Sequence, residues 1–129
     1  MHIHQEVTIN AKPQTVFGIL LSSDKFTEMT GGRKAEISTE EGGEISMFGG
    51  GISGRNVELK AGKRVVQAWR SNDWPAGVYS IIRFELGSDG GKTRVVFDQS
   101  GHPDEATEML SSGWHQMYWD AMNAMLAKT

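Results

Sequence analysis

No cysteine occurs among the 129 residues. That absence excludes a disulfide framework, a thiolate zinc site, an iron–sulfur cluster and a cysteine nucleophile. Long apolar runs are missing too, and none approaches the ~20 residues that span a bilayer. The opening MHIHQEVTIN alternates and has no apolar core of a signal peptide. A soluble, cytoplasmic chain without membrane insertion is therefore expected. Nor is there an excess of positive charge: 13 Lys and Arg face 16 Asp and Glu, a net charge of −3. Nucleic-acid binding, which needs a basic stripe, is not expected. Proline is scarce at 3 residues, whereas glycine is plentiful at 16. Without a collagen period, that glycine surplus points to many tight turns and a β-rich chain. The length suits a single domain over 1–129.

The first segment alternates, with Ile3, Val7 and Ile9 on one face of a strand. Pro13 suits the first position of a helix carrying Val16, Phe17, Leu20 and Leu21. Ser22-Ser23-Asp24 can cap a second short helix, which Gly31-Gly32 stops. From Arg33 to about Gly101, strands alternate with short glycine-rich turns, as an antiparallel meander requires. Val65, Gln67 and Trp69 share one face of one such strand. After Pro103-Asp104-Glu105 the period changes to that of a helix. Ala106, Leu110, Gly113, Trp114, Met117, Ala121, Ala124 and Met125 form its stripe, about 24 residues and roughly 36 Å long. The expected fold class is α+β: a curved antiparallel sheet wrapped around a long C-terminal helix, with two short helices after the first strand.

Several motifs invite chemistry. Gly49-Gly50-Gly51-Ile52-Ser53-Gly54 matches a dinucleotide fingerprint, but no helix can follow it, so a hairpin is expected. His2 and His4 share a strand face, an incomplete metal site because zinc wants a third or fourth ligand. No metal and no cofactor are implied. His115, with Asp98, Ser100, His102, Ser111 and Ser112, has no spacing that enforces a triad. Arg70, Arg83, Arg94 and Asp98 suit a charged ladder on the outer face. Gly54 reads as a bulge or bend within a strand. Gly113 reads as a close approach between helix and sheet, offsetting its cost of about 1 kcal/mol. At 100° per residue Trp119 falls opposite Leu110. It packs against the first strand or a loop, or stands exposed as a contact for a partner.

The series Gly42 to Gly54, Val65-Val66-Gln67-Ala68-Trp69-Arg70, Trp74-Pro75-Ala76-Gly77-Val78-Tyr79-Ser80 and Gly113-Trp114-x-x-Met117-Tyr118-Trp119 resembles the activator-of-Hsp90-ATPase (Aha) homologue family. The resemblance covers nearly the whole chain and is specifically to the C-terminal domain of that co-chaperone family, within the START-like (SRPBCC) helix-grip superfamily. It implies a helix-grip fold and a chaperone-related setting. The wider superfamily implies lipid and hormone carriers and cyclase-type enzymes as well.

Three functions follow as expectations. The leading one is a non-enzymatic binding domain with a small apolar or amphipathic ligand between sheet and helix. Its lining would come from Phe48, Trp69, Tyr79, Phe84, Phe97, Trp114, Met117 and Met125. The second is a protein-interaction module for an Hsp90-type chaperone, with Trp119 as its contact candidate. The third is a cavity enzyme of the cyclase or hydrolase kind using Gln67, Asn56, Ser80 and Tyr79; no acid or base is assigned to the inner face.

Overall fold

In the computed structural model, which describes residues 2–128, seven strands form one antiparallel sheet. β1 (Ile3–Ile9) is followed by α1 (Pro13–Leu20) and α2 (Ser23–Met29). Then come β2 (Glu36–Ile37), β3 (Glu44–Met47), β4 (Ile52–Lys60), β5 (Arg64–Ser71), β6 (Ser80–Asp89) and β7 (Lys92–Ser100). Their spatial order is β1-β7-β6-β5-β4-β3-β2, so the meander runs in sequence and β1 returns to pair with the last strand. Pro13 opens α1 and the Ser22 side chain caps α2 by accepting from Lys25 N–H at 3.1 Å. β2 is an edge strand of two residues that the alternation did not reveal.

Period two decides which side chains turn inward. Val65, Gln67 and Trp69 of β5 are buried, as are Ile82 and Phe84 of β6 and Val95 and Phe97 of β7. Against this face lies the C-terminal helical stretch: a 3-10 turn (Asp104–Ala106), α3 (Thr107–Gly113), a π-helical turn (Trp114–Trp119) and α4 (Asp120–Leu126). The helix therefore covers the expected span, but it is not uniform. In a regular α-helix Trp119 would sit about 140° around from Trp114. The wider i→i+5 turn brings it beneath Trp114 instead. The two indoles stack at 6.2 Å with planes 25° apart. Trp119 is consequently 2% exposed and donates its indole N–H to Gln5 Oε1 of β1 at 2.7 Å. Packing on the first strand is what the structure shows; the exposed alternative does not hold.

Two glycine expectations need correction. The register shift in β4 lies between Asn56 and Glu58, not at Gly54. Gly54 is instead pressed on its neighbour, since a Cβ there would lie 1.8 Å from the Ala68 carbonyl oxygen. Gly113 is the reverse case: a Cβ would meet nothing within 4 Å, so no close approach to the sheet compensates its helical cost. Gly49 to Gly51 form the β3–β4 connection as expected, through a 3-10 turn (Phe48–Gly50). Phe48 itself takes φ 56°, a left-handed conformation that is costly for a bulky side chain.

Candidate functional site

Between sheet and helix the interior is filled by aromatic rings. Trp114 lies 4.2 Å from Phe97 and 4.3 Å from Tyr118, centroid to centroid, and Phe84 stacks 6.1 Å from Tyr118. Phe26 of α2 meets Tyr118 edge-on at 5.2 Å. Polar groups inside this core are used up by one another. Trp114 donates to Gln99 Oε1 at 2.8 Å, Gln99 donates to Ser80 Oγ at 3.0 Å, and Ser80 donates to the Trp69 carbonyl at 2.8 Å. Gln67 donates to Asn56 Oδ1 at 3.1 Å, and Asn56 donates to the carbonyls of Ser38 and Glu40. Gln67, Asn56 and Ser80 thus hold the architecture; Tyr79 is exposed and packs its ring under the Arg70 guanidinium at 5.8 Å.

The core is open at one end. A half-open cleft of about 260 Å³ runs between the start of the π turn and the β4–β5 end of the sheet. Phe48, Trp69, Trp114 and Met117 line it, with Gly113 and Met109 at its helical side. Met109 is 73% exposed, a large apolar side chain left in water. The strained Phe48 backbone turns its ring to this place, edge-on to Phe26 at 5.8 Å. Trp69 carries a polar group into the wall, which Arg33, Ser71, Asn72 and Asp73 also border. Its indole N–H is buried and makes no hydrogen bond of ordinary geometry among the described residues. The Tyr118 hydroxyl beside it donates to Met47 Sδ at a long 3.8 Å and also faces the Trp69 N–H. Burial drives the Tyr118 phenol far above its ordinary pKa, and the Trp69 N–H offsets this slightly. The phenol is neutral at any physiological pH. Chemically, the cleft offers aromatic and thioether walls and the Trp69 N–H, with Arg33 and Asp73 bordering it.

Of the expected lining residues, the structure brings Phe48, Trp69, Trp114 and Met117 together here. Phe84, Phe97 and Met125 belong to the packed core. Tyr79 lies at a separate, broader groove beside Ser53, Ala68 and Arg55 on the outer sheet face. Sequence reasoning did not find Gly113 or Met109 as cleft residues.

The family model for activator of Hsp90 ATPase homolog 1-like proteins matches residues 10–127. The chain belongs to that family. A Dictyostelium discoideum activator of 90 kDa heat shock protein ATPase homolog is 31% identical over 109 residues, which is 84% of this chain and 28% of that protein. The Homo sapiens homolog 1 is 24% identical over 115 residues, 89% of this chain and 34% of that one. The chain therefore spans about a third or less of these relatives. Among solved structures, an HSP90 activator from Plasmodium falciparum superposes with a TM-score of 0.93 at 22% identity, covering 98% of this chain and 96% of that one. The Aha1 dimer from Colwellia psychrerythraea gives 0.80 at 20% identity, with 96% and 95% covered. These two support the shared fold. Within it, the W-R…W-P-x-G series has a physical use. Arg70 donates to the carbonyls of Trp74, Pro75 and Val78 at 2.7, 3.1 and 3.2 Å, clamping the loop that places Trp74 against Trp69.

A second cluster occupies the outer face of β1 and β7. His4 stands opposite Asp98 in the register, and His2 precedes it on the same face. Asp98 Oδ1 accepts from His2 Nε2 at 2.8 Å and His4 Nδ1 at 2.7 Å. The sequence had supplied no third ligand for the histidine pair; Asp98, 94 residues downstream of His4, stands in that place. Hydrogen bonding to Asp98, and next to Glu6, raises the His4 pKa above its usual value. Arg83 and Arg94 join this network as the expected ladder, through Asp98 and Glu6 respectively, while Arg70 is committed to its loop.

Proposed function

We propose that this chain is a non-enzymatic interaction module that contacts a chaperone of the Hsp90 type. The observation that carries the reading is the family match across residues 10–127, which takes in both the helix grip and the cleft. Relatives with this domain are named for activating the Hsp90 ATPase. Met109, standing in water at the mouth of an aromatic slot, is a suitable apolar anchor for such a contact. The test is titration of the purified protein against the Hsp90-type chaperone of the same source, with binding and ATPase turnover read separately. A complex at tens of micromolar, weakened by Met109→Asp, is expected on the scale of transient contacts. No complex at ~100 µM overturns the reading.

A second reading has its own support in the Trp69 N–H. It meets no acceptor in good geometry and faces only the Tyr118 hydroxyl, so part of the roughly 1–3 kcal/mol cost of an unpaired buried donor is open to recovery by an acceptor on a bound molecule. A small apolar ligand carrying one carbonyl or ether oxygen fits walls of Phe48, Trp114 and Met117. Native mass spectrometry of the protein from its own host should show the added mass. Gly113→Leu, which places a side chain in the slot, should abolish it; retention of the ligand in that variant removes the cleft as its site.

A further inference from the structure

We propose that His2, His4 and Asp98 form a binding site for a divalent late first-row metal ion, of which zinc is the natural case. Three donor atoms converge there: His2 Nε2, His4 Nδ1 and Asp98 Oδ1 all lie within 4.8 Å of one another. Two imidazoles and one carboxylate make the mixed nitrogen and oxygen set that zinc, cobalt and nickel accept, with water completing the shell. The strands fix the arrangement. Residues i and i+2 of β1 point the same way, and the register sets Asp98 of β7 directly across from His4.

A second layer of contacts is already in place. His4 Nε2 donates to Glu6 Oε2 at 2.9 Å, leaving Nδ1 directed at the site. Glu6 is in turn held by Arg94 at 2.6 Å through its other oxygen. A carboxylate behind a ligating imidazole is the usual means of fixing ring orientation and tautomer at metal sites. Arg83 approaches the other Asp98 oxygen, Oδ2, at 3.5 Å and leaves Oδ1 to the cluster. Binding replaces the protons on the two ligating nitrogens. At ligand distances of ~2.0–2.1 Å, tetrahedral neighbours lie about 3.3 Å apart. The nitrogen–oxygen gaps of 2.7 and 2.8 Å therefore widen by about half an ångström, within reach of exposed side chains. The consequence is a cross-link between edge strand β1 and its sheet neighbour, β7.

The experiment is calorimetric titration of the intact protein with zinc chloride, repeated with cobalt chloride to read the visible absorption of a low-coordinate nitrogen and oxygen site. One equivalent is expected, with an upward shift of Tm that grows with metal concentration. His4→Ala and Asp98→Asn should each lose at least tenfold in affinity, and Glu6→Gln should lose roughly tenfold through the misdirected imidazole. His115→Gln should bind as the unaltered protein does. Circular dichroism and Tm without metal establish that each variant is folded. No stoichiometric binding at 100 µM zinc overturns the proposal. So does binding indifferent to Asp98→Asn in a folded variant, which would leave only adventitious histidine chelation.

Discussion

Gly54 and Gly113 show how differently two glycines are retained. At Gly54 the β5 backbone leaves no room, with the Ala68 carbonyl oxygen 1.8 Å from where a Cβ would stand. Gly54→Ala must force β4 away from β5, and a loss of about 3 kcal/mol is expected in urea unfolding. Gly113 has open space and ordinary helical angles, φ −62° and ψ −37°. Gly113→Ala should raise stability by about 1 kcal/mol through the reduced freedom of the unfolded chain. An unchanged or lowered unfolding midpoint for that variant would show that the site resists a methyl group. Tolerance here means the glycine is not explained by folding. It lies on the cleft wall, where any larger side chain narrows the slot.

At the scale of elements, the strands were legible because alternation is a local property. Val65, Gln67 and Trp69 could be read as one buried face without knowing their neighbours, and the glycine runs marked the turns. Trp119 was not legible, because the helical wheel assumes a constant 100° and the π turn breaks that constant. Neither was the Asp98 side of the histidine cluster, since its pairing with His4 depends on β1 crossing the whole chain to reach β7. The lining of the cleft was read in part. Phe48, Trp69, Trp114 and Met117 carry sequence signals of aromatic or sulfur content. Which rings close the core and which border the opening depends on side-chain packing, which periodicity does not encode. Trp119 also makes a prediction for its element. Gln5→Ala removes the acceptor of its indole N–H and should cost roughly 1–3 kcal/mol, read by chemical denaturation.

For the whole molecule, the β7-to-helix junction introduces a dependence on pH. His102 is buried beside the start of the C-terminal stretch, with Nε2 on Thr107 Oγ1 at 3.0 Å. Burial lowers its pKa from the usual 6.5, partly opposed by Asp104. The folded state therefore takes up this proton less readily than the unfolded one. The resulting stability is fully present above about pH 6.5 and is lost as pH falls through that value toward the folded pKa. His4, whose pKa is raised, contributes in the opposite sense over the same range, so His102 is read by difference: between pH 7.5 and 5 the His102→Gln variant should lose less stability, or gain more, than the unaltered protein. An identical slope in the variant would assign the dependence to other groups.

The π turn has a consequence in chain length. It spends one residue more than an α-helix needs to cover the same rise, so this stretch can give up one residue where the flanking α-helix cannot. Deleting His115, which is exposed and within the turn, would let the helix close to regular geometry. The two tryptophans would then stand four residues apart, which at 100° per residue leaves them about 40° apart and so on the same face, with everything beyond still in register with the sheet. Trp119 would keep its place on Gln5, and Met122 its fully buried one. Circular dichroism should retain both the helical signal and the near-ultraviolet signal of the tryptophans, whereas deleting Gln116 as well would rotate everything beyond by about 100° and collapse the latter. In this fold the spacing between two tryptophans works as a ruler, and its unit is one residue.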